Sequence, residues 1–121
     1  MKRGRKITGG KYHKQRKKKK YEIDKQARIV KLGKLRKKKM RARGGHNKTV
    51  LLSSDIANLF DKKTGKFKKA KIKNVLETPS NKFLARQNIL TKGAIIETDA
   101  GKARITNRPS QEASIEAVLI E

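Results

Sequence analysis

The pattern of apolar and polar residues specifies one element better than any other, a hairpin within residues 94–106. Residues 94–98 and 102–106 predict two strands joined by a turn at Asp99-Ala100-Gly101, with Asp first and Gly last as hairpins prefer. Before this hairpin, Asn81 is a candidate N-cap of a short helix, because its side-chain oxygen can accept a backbone N–H. Asn88 is a candidate stop, because Asn tolerates the left-handed backbone that ends helices.

Further strands are predicted on either side of this hairpin. Residues 47–52, 56–60 and 115–120 are rich in strand-forming side chains. Over residues 69–76, Ala70, Ile72 and Leu76 fall on one face and lysines on the other, which predicts a half-buried strand with a cationic face. The alternation breaks at Asn74-Val75, so a bulge is expected there. Short strands at this spacing predict a mostly β fold, a small antiparallel β-barrel of about six strands.

The first part of the chain has far less apolar patterning. Beyond Met1, residues 1–20 contain only Ile7 and Tyr12 as apolar side chains, too few to offset the entropy of ordering the segment. Residues 21–24 suggest a short strand, and residues 27–35 fit either a strand or a helical turn. We therefore predict a basic, largely extended arm over residues 1–46, disordered when free, and a barrel domain over residues 47–121.

Charge separates the same two parts. The 121 residues include 35 Lys and Arg against 10 Asp and Glu, a formal net charge of +25. Residues 1–50 carry 22 basic and two acidic side chains, a net charge of +20, and residues 51–121 carry +5. Self-repulsion on this scale calls for a polyanionic partner, with nucleic acid the first candidate and an anionic membrane surface the second.

The sequence lacks the residues that several classes of function require. There is no cysteine, which excludes disulfides, thiolate catalysis and Cys-containing metal sites. Apolar runs are too short to span a bilayer, and the N-terminus does not resemble a secretory signal. His13 and His46 have no evident paired base or nucleophile, and no phosphate loop or dinucleotide fingerprint is present. We expect no catalysis, no metal, no cofactor, no small-molecule substrate and no membrane partner.

The remaining chemistry is binding through charge. The aromatic residues Tyr12, Tyr21, Phe60, Phe67 and Phe83 are too few and too scattered in the sequence to predict a base-stacking platform, and the signatures of common RNA-binding domains are missing. An excess of 25 Lys over 10 Arg favours phosphate contact over bidentate base recognition.

The candidate RNA-binding residues are the basic side chains of the arm, the glycines between them, and exposed cations of the barrel. Thr8-Gly9-Gly10 fits either a close approach to phosphate or a flexible spacer. The full set is Lys2, Arg3, Arg5, Lys6, Thr8, Gly9, Gly10, Lys11, His13, Lys14, Arg16, Lys17, Lys18, Lys19, Lys20, Arg36, Lys37, Lys38, Lys39, Arg41, Arg43, Gly44, Gly45, Lys48, Lys71, Lys73, Arg86, Lys92 and Arg108.

Five segments occur together in an order that resembles a known family. They are Thr8-Gly9-Gly10, the basic run into Tyr21-Glu22, Arg43-Gly44-Gly45 before a strand, residues 91–98, and Arg108-Pro109. Together they resemble the small-subunit ribosomal protein S-eight-e family, in its short archaeal form. The resemblance implies a small β-barrel with a long basic arm, bound in the cytoplasm to small-subunit ribosomal RNA beside neighbouring ribosomal proteins, with no catalysis and no cofactor.

Two other functions remain open on composition alone. A DNA-compacting or chromatin protein would show the same excess of lysine, and so would an RNA-processing or assembly factor that leaves the mature subunit. Stoichiometric co-sedimentation with ribosomal subunits separates the structural ribosomal protein from both.

Overall fold

Buried and exposed side chains alternate along several strands of this protein, which contains a β-sheet and a β-barrel. The computed structural model describes residues 4–13, 15–24 and 27–120. In chain order the elements are β1 (Lys31–Leu32), β2 (Arg36–Arg41), a 3-10 turn (Arg43–Gly45), β3 (Asn47–Ser54), β4 (Ile56–Phe60), β5 (Phe67–Glu77), α1 (Lys82–Arg86), β6 (Ile95–Thr98), β7 (Gly101–Ile105) and β8 (Glu116–Leu119). Strands β4 to β8 close into a barrel, and β1, β3 and β2 form a separate three-stranded sheet in that order.

The barrel confirms the predicted mostly β fold class, with five strands where about six were expected. Consecutive strands from β4 to β8 pair antiparallel, whereas β4 and β8 pair parallel where the barrel closes. This parallel pair follows from the strand number, because five strands that alternate in direction bring the first and the last together pointing the same way. The interior is filled by small and large apolar side chains, as a narrow barrel requires; they include Ala57, Leu59, Ile72, Val75, Ile96, Ala103, Ile105 and Ala117.

The helix and the hairpin confirm the two predictions made from local sequence. The Oδ1 atom of Asn81 accepts a hydrogen bond from the backbone N–H of Phe83 at 2.9 Å, and Asn88 has the expected left-handed φ of 52°. Strands β6 and β7 pair from Ile95↔Arg104 to Thr98↔Gly101. The buried Thr98 side chain donates to the carbonyl of Gly101 at 2.7 Å, which fixes the end of the hairpin.

Strand β5 contains the expected irregularity and corrects one detail. Its register against β6 shifts between Ile72 and Asn74 and again between Val75 and Glu77, which confirms the predicted bulge. Val75 is therefore buried, whereas Leu76 is 41% exposed. The placement of Leu76 on the apolar face was wrong, because an extra residue in a strand moves the following side chains to the opposite face.

Before residue 47, residues 21–24 differ from expectation, and residues 27–35 adopt one of their two alternatives, a strand. Residues 21–24 form no strand; the chain turns there, and the backbone N–H of Glu22 donates to the carbonyl of Lys19 at 2.8 Å. Residues 27–35 supply only the short strand β1, which pairs parallel with β3. The neighbouring Val30 is 1% exposed and belongs to the core cluster. Its carbonyl accepts the N–H of Leu90 at 2.8 Å, so this segment is anchored to the body of the protein.

The turn before β6 provides a test of the fold. Gly93 has a φ of 83°, and a Cβ atom built there would meet no atom within 4 Å. A side chain is therefore opposed by backbone strain and not by lack of space. We expect Gly93→Val to lower the free energy of unfolding by roughly 1–3 kcal/mol, and Lys92→Ala, at an exposed neighbour, to leave it nearly unchanged. Thermal denaturation of both variants checks this; a larger loss in Lys92→Ala than in Gly93→Val would contradict it.

Candidate nucleic-acid interface

The first basic cluster is a tight hairpin near the N-terminus. The backbone N–H of Lys6 donates to the carbonyl of Gly10, and that of Gly9 donates to the carbonyl of Lys6, each at 2.9 Å. Arg5 pairs with Lys11 across the turn. Gly9 has a φ of 76°, a conformation that side chains disfavour, so the glycine serves a chain reversal. All these residues are exposed, and the turn presents three cations on a short loop.

A second turn in the arm pairs one exposed cation with a carboxylate. The guanidinium of Arg16 donates to both carboxylate oxygens of Glu22, at 2.8 and 2.5 Å. The Lys19 N–H donates to the same carboxylate at 2.9 Å. The Arg16 guanidinium, followed by the Lys19 N–H, lowers the pKa of Glu22 below its usual value. Arg16 was predicted to contact phosphate, but here its charge is matched by a carboxylate, while Lys17 and Lys18 remain exposed.

Strand β2 turns the second basic run into a cationic edge. It pairs with β3 antiparallel from Lys37↔Leu51 to Arg41↔Asn47 and, within the described residues, has no neighbour on its other side. Because strand side chains alternate, Lys37, Lys39 and Arg41 lie on one face of the sheet and Lys38 on the other. Cations on the same face are then roughly 7 Å apart. An anion between two of them would lower their mutual repulsion.

The glycines that follow β2 form the connection to β3. Gly44 and Gly45 have φ values of 76° and 78°, and the N–H of Ala42 donates to the carbonyl of His46 at 2.7 Å. Arg43 and the first residues of β3, including Lys48, are exposed here. The predicted Arg43-Gly44-Gly45 site is therefore a tight connection that keeps its basic residues at the surface.

The barrel carries its own cations on the outer face of β5. Lys69 and Lys71 pair with Asn58 and Ile56 of β4, and all are on the side away from the core. The Nζ atom of Lys73 lies 3.3 Å from a carboxylate oxygen of Asp99. Because Lys73 is paired in this way, it is a weaker candidate phosphate ligand than Lys71.

The other predicted residues are distributed over the surface. The guanidinium of Arg86 lies 5.8 Å from the ring centroid of Phe83 on α1, and Lys92 and Arg108 are exposed in loops. Residues Lys2, Arg3 and Lys14 lie outside the described residues. The remaining predicted residues of the arm are all exposed; they are Thr8, His13 and Lys20 in addition to those above.

Sequence reasoning missed a basic cluster at the opposite end of β5. Lys66, Lys68 and Lys69 are exposed and adjoin the exposed Phe67 in the sequence, and Arg104 lies on the outer face of β7. A signal is present in the sequence, because Asp61 and Gly65 are typical turn residues and a turn there would bring the flanking residues together. The prediction that the aromatic residues are too scattered to act together did not take this turn into account.

The carboxylate of Asp61 holds the β4–β5 turn through two hydrogen bonds. Asp61 accepts hydrogen bonds from the backbone N–H of Lys63 and the hydroxyl of Thr64, each at 2.9 Å. The hydrogen bond from the Lys63 N–H contributes most to lowering the pKa of Asp61, followed by the hydrogen bond from the Thr64 hydroxyl. The ionised Asp61 therefore stabilises the turn fully above the ordinary pKa of an Asp. This stabilisation is lost as the pH falls through the lowered pKa. We expect the Lys63 and Thr64 amide resonances to report that titration by NMR. Asp61→Asn keeps an acceptor oxygen and should abolish the titration; one that persists in this variant would contradict the assignment.

Within the described part of the chain, no helix is long and apolar enough to cross a membrane. The same residues contain no group of three or more potential acidic, His or Cys metal ligands. The arrangement therefore consists of exposed cations held on turns, an edge strand and a barrel face. Electrostatic contact with anions is the chemistry that it offers.

These features define a small, strongly cationic β-barrel protein with a basic N-terminal arm. The family model described as Ribosomal protein S8e matches residues 1–120, and the chain belongs to this family. A protein of Methanocorpusculum labreanum is 48% identical over 117 residues, which cover 97% of this chain and 94% of the relative. Relatives from Methanocella arvoryzae and Nanoarchaeum equitans are each 44% identical, covering 96% and 95% of this chain and 93% and 91% of the relatives. All three are named small ribosomal subunit protein eS8.

Proposed function

We propose that this protein is a structural constituent of the small ribosomal subunit that binds and stabilises small-subunit ribosomal RNA through phosphate contacts. The observation that carries the proposal is the net positive charge of residues 1–50, +20 in the sequence; every basic side chain of this segment that the structure describes is exposed. Family membership and the names of the archaeal relatives support the ribosomal role.

The proposed mechanism is electrostatic and non-catalytic. Lysine and arginine side chains displace counterions from the RNA backbone, and release of those counterions drives binding. The arm reaches between RNA helices, while the barrel docks on their surface beside neighbouring ribosomal proteins, in the cytoplasm. No cofactor is needed for such a role, because phosphate recognition here requires only positioned charge.

Co-sedimentation tests the proposal. Small subunits are purified at moderate salt from cells that express the tagged chain, and the ratio of this chain to a resident small-subunit protein is measured. We expect one copy per mature subunit. Recovery only with immature particles would instead make it an assembly factor, and recovery mainly with DNA would make it a chromatin protein; either result contradicts the proposal.

A further inference from the structure

Two phenylalanines form an exposed pair at one end of the barrel. Phe60 ends β4, Phe67 begins β5, and the two are directly opposite each other in the antiparallel ladder. Their ring centroids are 4.9 Å apart with an interplanar angle of 43°. Phe60 is half-buried, but Phe67 is 74% exposed. The Asp61 turn that joins the strands fixes this arrangement before any partner binds.

The pair continues into an apolar row on the outside of the barrel. Phe60 pairs with Val118 of β8, Val118 pairs with Arg104 of β7, and Arg104 pairs with Ile95 of β6. Directly opposed residues point to the same side of a sheet, so these side chains share the outer face. The interior of the barrel is already filled by a different set of residues. The outer row is therefore not required to form the core.

Positive charge lies next to the exposed ring. Lys66 precedes Phe67 in the sequence, and Lys69 is the next outward residue of β5, whereas Lys68 pairs with the buried Leu59 and lies on the opposite face of the strand. A surface groove is lined by Phe67, Lys68 and Lys69 together with Asn58 and Glu116. Lys66, Lys69 and Arg104 form no ion pair with any residue that the structure describes. The exposed aromatic ring thus lies beside a cationic rim of Lys66 and Lys69, in a groove that also contains the Glu116 side chain.

We propose that Phe67, supported from behind by Phe60, stacks on an unpaired nucleobase of the bound RNA while Lys66 and Lys69 contact the adjacent phosphates. This inference rests on the proposed function and adds a single-stranded element to it. Single-stranded nucleic acid offers flat bases next to regularly spaced negative charges, and proteins that bind it combine aromatic rings with cations.

Other occupants fit this surface less well. A second copy of the chain would bring another net charge of +25 against the cationic rim, which is repulsive. An apolar protein surface would cover the ring but would leave the lysines unmatched, and an acidic surface would match the lysines without matching the ring. The combination of ring and rim therefore favours an unpaired nucleotide.

The test uses the full chain and two short RNA probes with the same number of phosphates. One is a ten-nucleotide oligoadenylate, and the other carries abasic sites at its central positions. We expect wild-type protein to bind the intact probe roughly 5- to 150-fold more tightly, the effect of one stacked base. Phe67→Leu should lose this preference while keeping the same salt dependence, and Phe67→Tyr should retain it. The ring protons of Phe67 should move upfield in NMR spectra only with the intact probe.

Phe83 supplies the matched control. It is also an exposed phenylalanine, on α1, where the Arg86 guanidinium lies 5.8 Å from its ring centroid, and among the residues that the structure describes no aromatic ring packs against it. We expect Phe83→Ala to change the preference less than twofold, and an equal loss at Phe83 and Phe67 would overturn the site. Circular dichroism establishes that each variant is folded.

Failures of the two proposals are distinguishable. Equal wild-type affinity for both probes, with steep salt dependence, overturns stacking and leaves phosphate binding intact. Weak binding to both without salt dependence overturns the proposed function itself. If Phe67→Leu binds both probes as the wild type does but no longer sediments with small subunits, the surface docks a protein and stacking is overturned.

Discussion

The affinity of this protein for ribosomal RNA is expected to fall roughly 10³- to 10⁵-fold between 50 and 200 mM salt, the loss typical of about 6–10 phosphate contacts. Each neutralised phosphate releases counterions, so added salt opposes binding in proportion to their number. Removal of residues 1–20 should flatten the slope of log affinity against log salt far more than it changes sequence preference. A slope unchanged by this deletion would place the electrostatic contacts on the barrel.

Single substitutions sharpen this measurement. Lys37→Gln and Lys39→Gln on the exposed edge strand β2 should each reduce the slope by about one. Arg16→Gln is the matched control within the arm, because Glu22 already neutralises Arg16 in the structure. We expect it to reduce the slope less than Lys18→Gln does. The reverse order would show that the Arg16–Glu22 pair opens when RNA binds. Affinity measured by titration over a series of salt concentrations checks all four variants.

A chain that starts at Asn47 is expected to retain the barrel but to be less stable than a chain that starts at Ala27. The shorter chain lacks β1 and β2, so β3 loses both of its neighbours. It also lacks Val30, whose burial contributes roughly 1.5–3 kcal/mol. Amides of residues 47–54 should lose protection from hydrogen exchange, while those of β6 and β7 keep it.

Urea denaturation of the two fragments measures the difference. Val30→Ala in the full chain separates the loss of this side chain from the loss of the strands, and it should account for only part of the destabilisation. Equal stability of both fragments would mean that residues 27–46 contribute nothing to the folded domain, and the predicted division between residues 46 and 47 would then describe the folding unit. The predicted disorder of the free arm is checked in the same NMR spectra.

The elements that could be predicted are those whose signals are local. Asn81 and Asn88 act within one turn of α1, and the β6–β7 hairpin is specified by alternation and by its turn residues. Strand β2 could not be recognised in this way, because a run of lysines has little intrinsic strand preference and pairs with β3 through its backbone. The side to which Leu76 points depends on a bulge whose position is set by the register with β6.

For the candidate site, the sequence predicts how much positive charge is present but not how the charged side chains are arranged. The sequence locates the positive charge, because charge is a property of composition. It does not reveal which cations are matched, since Arg16–Glu22 and Lys73–Asp99 form only after the chain turns back on itself. Phe60 and Phe67 are likewise brought together by the pairing of β4 with β5, which a count of aromatic residues cannot show.

The parallel closure of the barrel determines the order in which it can be completed during synthesis. Strand β4 must wait for β8, whose pairing joins Asn58 to Glu116 near the other end of the chain. Until the ribosome has released that last strand, the nascent sheet has two open edges that could recruit strands from other molecules. By then the whole basic arm has already emerged. Like charges repel, so the arms of neighbouring nascent chains oppose such pairing while the barrel is still open.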